Sequence, residues 1–143
     1  MTTTKHTRSI HIDAPVEKVF HYLEDPAHFV SWMPAKTHAT LGAVNRTPEG
    51  VVANYEVNYR WLGMHSTAVF TREEYLVNQR IVDHSSQNPV FTHSVEPDAT
   101  GTTLTTAWDS TTLDKVFDAI WFHGDKFIEK AHTSIKHEVE ALP

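Results

Sequence analysis

Residues 51–75, VVANYEVNYRWLGMHSTAVFTREEY, decide the fold. Val51, Ala53, Tyr55, Val57 and Tyr59 alternate with Val52, Asn54, Glu56, Asn58 and Arg60, the period of two that a half-buried strand requires. Leu62 and Gly63 mark a connection. From Met64 to Tyr75 the alternation resumes, with Met64, Ser66, Ala68 and Phe70 opposite His65, Thr67, Val69 and Thr71. Two long strands joined so closely must run antiparallel, because parallel neighbours need a crossover of a dozen or more residues.

The same texture extends in both directions. Downstream, strands are predicted over Val77 to His84, Val90 to Val95 and Thr102 to Ser110, separated by Gln87-Asn88-Pro89 and by Pro97-Asp98-Ala99-Thr100-Gly101. Upstream, Thr37 to Asn45 reads as a strand closed by the turn Thr47-Pro48-Glu49-Gly50, and Lys5 to Asp13 reads as the first strand. Between these two, Pro15 opens a short helix whose Val16, Val19, Phe20 and Leu23 form an i, i+3, i+4, i+7 stripe. It is expected to end at Asp25, since Pro26 disfavours helical backbone before it. One or two further turns reach Trp32, and Pro34 stops them.

After the strands the period changes to that of a helix. Leu113, Val116, Phe117, Ile120, Trp121, Phe127, Ile128, Ala131, Ile135, Val139 and Leu142 form one apolar stripe, long enough at 1.5 Å per residue to span roughly 42 Å. Its first half is apolar around much of its circumference, as expected of a segment covered on several sides or bordering a cavity or partner. The order is therefore βαα, six strands and one long helix, an α+β class. No repeat or linker divides it, and one domain over residues 1–143 is expected.

Composition narrows the function. With no cysteine among the 143 residues, disulfide scaffolds, Cys-ligated zinc, iron–sulfur clusters and thiol nucleophiles are excluded. The formal charge of -6 opposes binding to nucleic acid and to anionic membranes. Neither an N-terminal apolar leader nor a run of about 20 apolar residues is present, so a soluble, cytoplasmic protein without integral membrane association is expected. The eleven histidines are scattered and read as solvated surface positions.

The element order, together with Ile10-His11-Ile12-Asp13-Ala14-Pro15-Val16-Glu17-Lys18-Val19-Phe20-His21-Tyr22-Leu23-Glu24-Asp25-Pro26 and Trp32 beyond it, resembles the START-like or SRPBCC superfamily. Within it, the likeness is to the polyketide cyclase/dehydrase and lipid-transport group. That resemblance implies a helix-grip fold: a curved seven-stranded antiparallel sheet around the C-terminal helix, two short helices after the first strand, and a cavity for an apolar or amphipathic ligand. No His-His-Asp iron ligand set of the related dioxygenase domains matches positions in this chain. No cofactor is expected.

If such a cavity exists, Tyr55, Tyr59, Met64, Phe70, His93, Trp108, Phe117, Trp121 and Phe122 are the pool for its wall. Asn54, Glu56, Asn58 and Arg60 share the other face of their strand, where a Glu56–Arg60 pair is conceivable. Trp108 with Asp109, and His123 with Asp125, supply candidate groups for proton transfer. Gly124 interrupts the helix at a cost near 1 kcal/mol, which close approach of a ligand or another backbone would explain. Three functions follow: a carrier of a hydrophobic or aromatic small molecule, a cofactor-free cyclase or dehydratase, and a protein-interaction or stress-response module. An exposed sheet edge or the aromatic helix could also support a homodimer.

Overall fold

The computed structural model describes residues 3–33, 35–61, 63–86, 90–111 and 125–143. Seven strands, β1 (Thr3–Ile12), β2 (Thr40–Arg46), β3 (Val52–Trp61), β4 (Met64–Leu76), β5 (Arg80–Ser85), β6 (Val90–Pro97) and β7 (Thr102–Thr111), make one sheet. Their order is β1-β7-β6-β5-β4-β3-β2, antiparallel throughout. The first strand pairs with the last, His6 opposite Trp108 and Ile10 opposite Leu104, and everything between is a meander. Helices α1 (Val16–Leu23) and α2 (Pro26–Trp32) follow β1, and α3 (Asp125–Ala141) packs on the sheet. This is the helix-grip arrangement that the resemblance implied.

Side-chain period explains which faces meet. In α3, Ile128, Ala131, Ile135 and Val139 are buried against the sheet and the two short helices. From β3, Tyr55, Val57 and Tyr59 point to the same core, whereas Arg60 on the opposite face is exposed. Three shifts of register interrupt the alternation. Val52 opposes Arg46 while Asn54 opposes Asn45, so Ala53 is an extra residue and Val52, not Val51, is buried. Similar shifts follow Leu41 in β2 and Arg72 in β4, and the second lets both Arg72 and Tyr75 turn inward.

Several predicted boundaries move for identifiable reasons. The first helix stops at Leu23, because Asp25 begins a new one: its Oδ1 accepts from the Ala27 amide at 2.9 Å, and Pro26 takes the first helical position. Strand β2 begins at Thr40 because Ala35–Thr37 forms a 3-10 turn and His38 has φ +48°. Val77 belongs to no strand. The chain turns there instead, with Asn78 at φ +59° and the Gln79 amide donating to the Leu76 carbonyl at 2.9 Å. The first half of the predicted long helix, including Gly124, lies outside the described residues.

Candidate functional site

Two ladders of buried polar groups cross the concave face of the sheet. The first begins with Arg72 in β4 and Asp83 in β5, which stand directly opposite. Arg72 donates from Nε to Asp83 Oδ1 at 2.9 Å and from Nη2 to Oδ2 at 3.1 Å, and its Nη1 donates to the Glu24 carbonyl at 3.0 Å. The Tyr55 hydroxyl donates to the same Asp83 Oδ2 at 2.9 Å, and the guanidinium lies 5.9 Å from the Tyr55 ring centroid. Burial works against the charge on Arg72, but the bonds to Asp83 outweigh it and hold the guanidinium pKa above its ordinary value. Burial, with Asp83 alongside, pushes the Tyr55 phenol well above its ordinary value.

The second ladder joins the sheet to α3. His93 in β6 and Thr106 in β7 face each other in register, and His93 Nδ1 lies 2.9 Å from Thr106 Oγ1. His132 of α3 approaches the same hydroxyl from above, Nε2 to Oγ1, at 2.7 Å. All three side chains are buried. Burial disfavours the imidazolium and lowers His93 to about 4 and His132 to about 3, the latter helped by His93 and Arg8. Both rings are therefore neutral near pH 7. The other nitrogen of His132, Nδ1, is buried without a hydrogen-bond partner among the described residues.

Aromatic rings surround these groups. Phe29 of α2 sits 4.9 Å from Phe70, 5.9 Å from Phe91 and 5.7 Å from Trp32, while Trp32 meets His93 edge-on at 6.0 Å. Among the described residues, the buried Trp32 indole N–H has no hydrogen-bond partner.

At one end, the sheet and α3 part to leave a cleft of about 980 Å³. The β2–β3 turn at Glu49–Val51 forms one side, and α1 forms another through Lys18 and Tyr22. The end of α3 closes the third through His137, Glu138, Ala141 and Leu142, and Arg72 and Tyr75 of β4 also line the space. Tyr22 donates to Glu138, and Tyr75 donates to Glu24 at 2.5 Å. Partial burial and Glu24 push the Tyr75 phenol up to about 12. His28 stacks on Tyr22 with centroids 3.7 Å apart. Because Arg72 also holds Asp83, the cleft touches the first polar ladder directly.

The predicted wall residues separate into three groups. Tyr55, Tyr59, Phe70, His93 and Trp108 are buried on the concave face. Tyr55 stacks on Phe70 at 5.2 Å and Trp108 on His6 at 5.1 Å, and none of the five lines the cleft. Met64 does not join them. It stands at the start of β4, 72% exposed, with the inward parity of its strand but beyond the cover of the core. Phe117, Trp121, Phe122 and His123 lie outside the described residues. Arg60 bonds His65 at 3.1 Å rather than pairing with Glu56.

His93, already named for the cavity wall, is buried, and the reading of the histidines as surface positions fails for His132. A signal for the latter existed: His132 lies four residues after Ile128 and three before Ile135, inside the apolar stripe. Thr106 likewise shares parity with Leu104 and Trp108. The meeting of the three was not legible, since it depends on how α3 lies over β6 and β7.

Among the described residues, no helix is long and apolar enough to cross a membrane. Solved structures with this fold include a protein from Rhodobacter sphaeroides, 17% identical with TM-score 0.70, covering 98% of this chain and 94% of that one. An Arthrobacter aurescens protein is 14% identical with TM-score 0.71 over 96% and 87% of the two chains. A Staphylococcus aureus protein of unknown function is 12% identical with TM-score 0.66 over 97% of each. At these identities the likeness establishes the fold alone. No curated protein matches the sequence. A family profile described as polyketide cyclase / dehydrase and lipid transport matches residues 3–140, nearly the whole chain. The chain belongs to that family.

Proposed function

We propose that the protein binds a hydrophobic or aromatic small molecule in the seam between the sheet and the C-terminal helix. The observation that carries this reading is the cleft of about 980 Å³ where the two part, a volume suited to one small organic molecule. Val51, Val52, Ala141 and Leu142 offer apolar surface there, and Tyr22, His28 and Tyr75 offer ring faces and hydroxyls. Removing ligand surface from water contributes roughly 25 cal/mol per Å², while the Tyr and Glu groups orient it. Titration with the uncharged fluorophore N-phenyl-1-naphthylamine tests the reading. Saturable binding is expected, weakened at least tenfold by Ala141→Trp, which fills the cleft from an exposed position. Absence of saturable binding to the native protein overturns it.

A second reading, cofactor-free acid–base chemistry of the cyclase or dehydratase kind, is favoured by two buried polar clusters, Tyr55 with Asp83 at 2.9 Å and Thr106 with His93 and His132 at 2.9 and 2.7 Å. Turnover of a bound carbonyl compound that disappears with Thr106→Val would support it. Turnover unaffected by that change would remove it.

A further inference from the structure

The Arg72 guanidinium carries five N–H hydrogens, and among the described residues it meets only three acceptor atoms, Asp83 Oδ1, Asp83 Oδ2 and the Glu24 carbonyl oxygen. We propose that its two remaining N–H groups are the polar anchor of the cleft, and that they select an uncharged guest bearing a carbonyl oxygen on an apolar or aromatic body. This inference rests on the reading that the cleft takes an apolar small molecule, and it adds which polar group that molecule carries and where the group lies.

Geometry places these hydrogens. The register shift after Arg72 turns both Arg72 and Tyr75 to the concave face, and both line the cleft. One edge of the guanidinium, Nε with Nη2, is closed by the two oxygens of Asp83, a residue that does not line the cleft. Nη1 lies on the opposite side and donates to the carbonyl of Glu24, which does line it. The remaining hydrogens, one on Nη1 and one on Nη2, therefore lie on the Glu24 side of the group, away from Asp83. The charge is felt there: Arg72 opposes the rise of the Tyr75 phenol, and Glu24 helps to keep the guanidinium protonated. With the Arg72 side chain 3% exposed, water competes poorly for these hydrogens, so a guest acceptor that reaches them displaces little hydration.

The other groups of the cleft make Arg72 the discriminating donor. Tyr22 and Tyr75 give their hydroxyl hydrogens to Glu138 and Glu24, so neither phenol has one left for a guest. Lys18 is half-buried and already donates to the Leu142 carbonyl at 2.6 Å, and Arg46 is exposed, where water competes with any guest. Charge then favours a neutral acceptor. The single charge of Arg72 is shared between Asp83, bonded to it, and Glu24 beside it. A guest carboxylate would be a third anion around one guanidinium, in a cleft that Asp25, Glu49 and Glu138 also line. A ketone, ester or amide oxygen offers two lone pairs to the two hydrogens and brings no charge.

Displacement of bound N-phenyl-1-naphthylamine by three molecules of similar shape, 2-acetonaphthone, 2-naphthoate and 2-ethylnaphthalene, tests the proposal. The ketone is expected to bind more tightly than the carboxylate. Arg72→Met combined with Asp83→Leu removes the ion pair without stranding a charge. In that variant the affinity of the ketone relative to the hydrocarbon should fall about tenfold from its native value. A crystal structure of the native protein with 2-acetonaphthone tests the anchor without any substitution, and should show the carbonyl oxygen within hydrogen-bond distance of Arg72 Nη1 or Nη2. An unchanged ratio in the variant overturns the anchor, as does a bound carbonyl turned away from Arg72 or tighter binding of 2-naphthoate. In each of those cases the binding function stands. If neither the fluorophore nor any of the three molecules binds the native protein, both fall.

Discussion

Arg72 and Asp83 face each other across β4 and β5 in a two-pronged ion pair whose side chains are 3% and 7% exposed. Such a pair is poor evidence of net stabilisation, because both ions lose their hydration, but breaking it strands a charge. Arg72→Met is therefore expected to destabilise the protein by about 3–5 kcal/mol in urea unfolding. The double change Arg72→Met with Asp83→Leu should recover much of that loss. A single-variant cost below about 1 kcal/mol would mean that water reaches Asp83.

His93 and His132 make stability fall with acid. Their folded values, about 4 and about 3, lie below the ordinary 6.5, so the unfolded chain binds protons first. Stability is lost as pH drops below 6.5 and levels off only below the folded values, with each histidine contributing about 1.4 kcal/mol per pH unit inside the window. His132→Phe should flatten the acid limb of stability against pH by one proton. An unchanged slope would place a hydrated, titrating histidine at that position.

His11 acts in the opposite sense. Its Nδ1 lies 2.7 Å from Asp98 and its Nε2 lies 2.7 Å from Asp13, tying the end of β1 to the β6–β7 turn. Hydrogen bonds to Asp13 and then Asp98 raise its pKa above 6.5, and the bond to His11 lowers Asp98 to about 2. The histidine's contribution is complete below pH 6.5 and disappears as pH rises through its raised value. That of Asp98 is present above its ordinary 3.8 and lost as pH falls through about 2. The difference in melting temperature between native protein and His11→Asn should be greatest between these limits and shrink as pH rises through the raised value of His11. A difference constant with pH would assign His11 a packing role only.

Gly101 lies against the corner between β1 and α1, and a Cβ there would meet the Ile12 carbonyl oxygen at 2.3 Å and the Ala14 nitrogen at 3.1 Å. Both are backbone and cannot turn aside. Gly101→Ala should cost about 2 kcal/mol or more, measured by thermal unfolding. Gly42→Ala should cost less, because its nearest obstacles, the Asn58 side-chain nitrogen at 2.9 Å, which can swing away, and Glu56 Cβ at 3.0 Å, stand farther off than the Ile12 carbonyl oxygen does at Gly101. Equal costs would count against the close corner packing.

The order of elements was determined by local chemistry: period two in residues 51–75, period 3.6 at Ile128 to Val139, and prolines at 15 and 26. Each of these signals lies within a few residues, where backbone sterics and side-chain spacing act. The inward face of Tyr55, Val57 and Tyr59 was legible for the same reason, although the extra residue at Ala53 hid the burial of Val52. Tertiary structure alone decided that Arg72 meets Asp83, that His93 and His132 share one hydroxyl, and that the cleft opens beside Tyr22 and Ala141. Those relations depend on strand register and on where α3 crosses the sheet. Both are set by the summed fit of distant apolar surfaces, and no short stretch of sequence contains that sum.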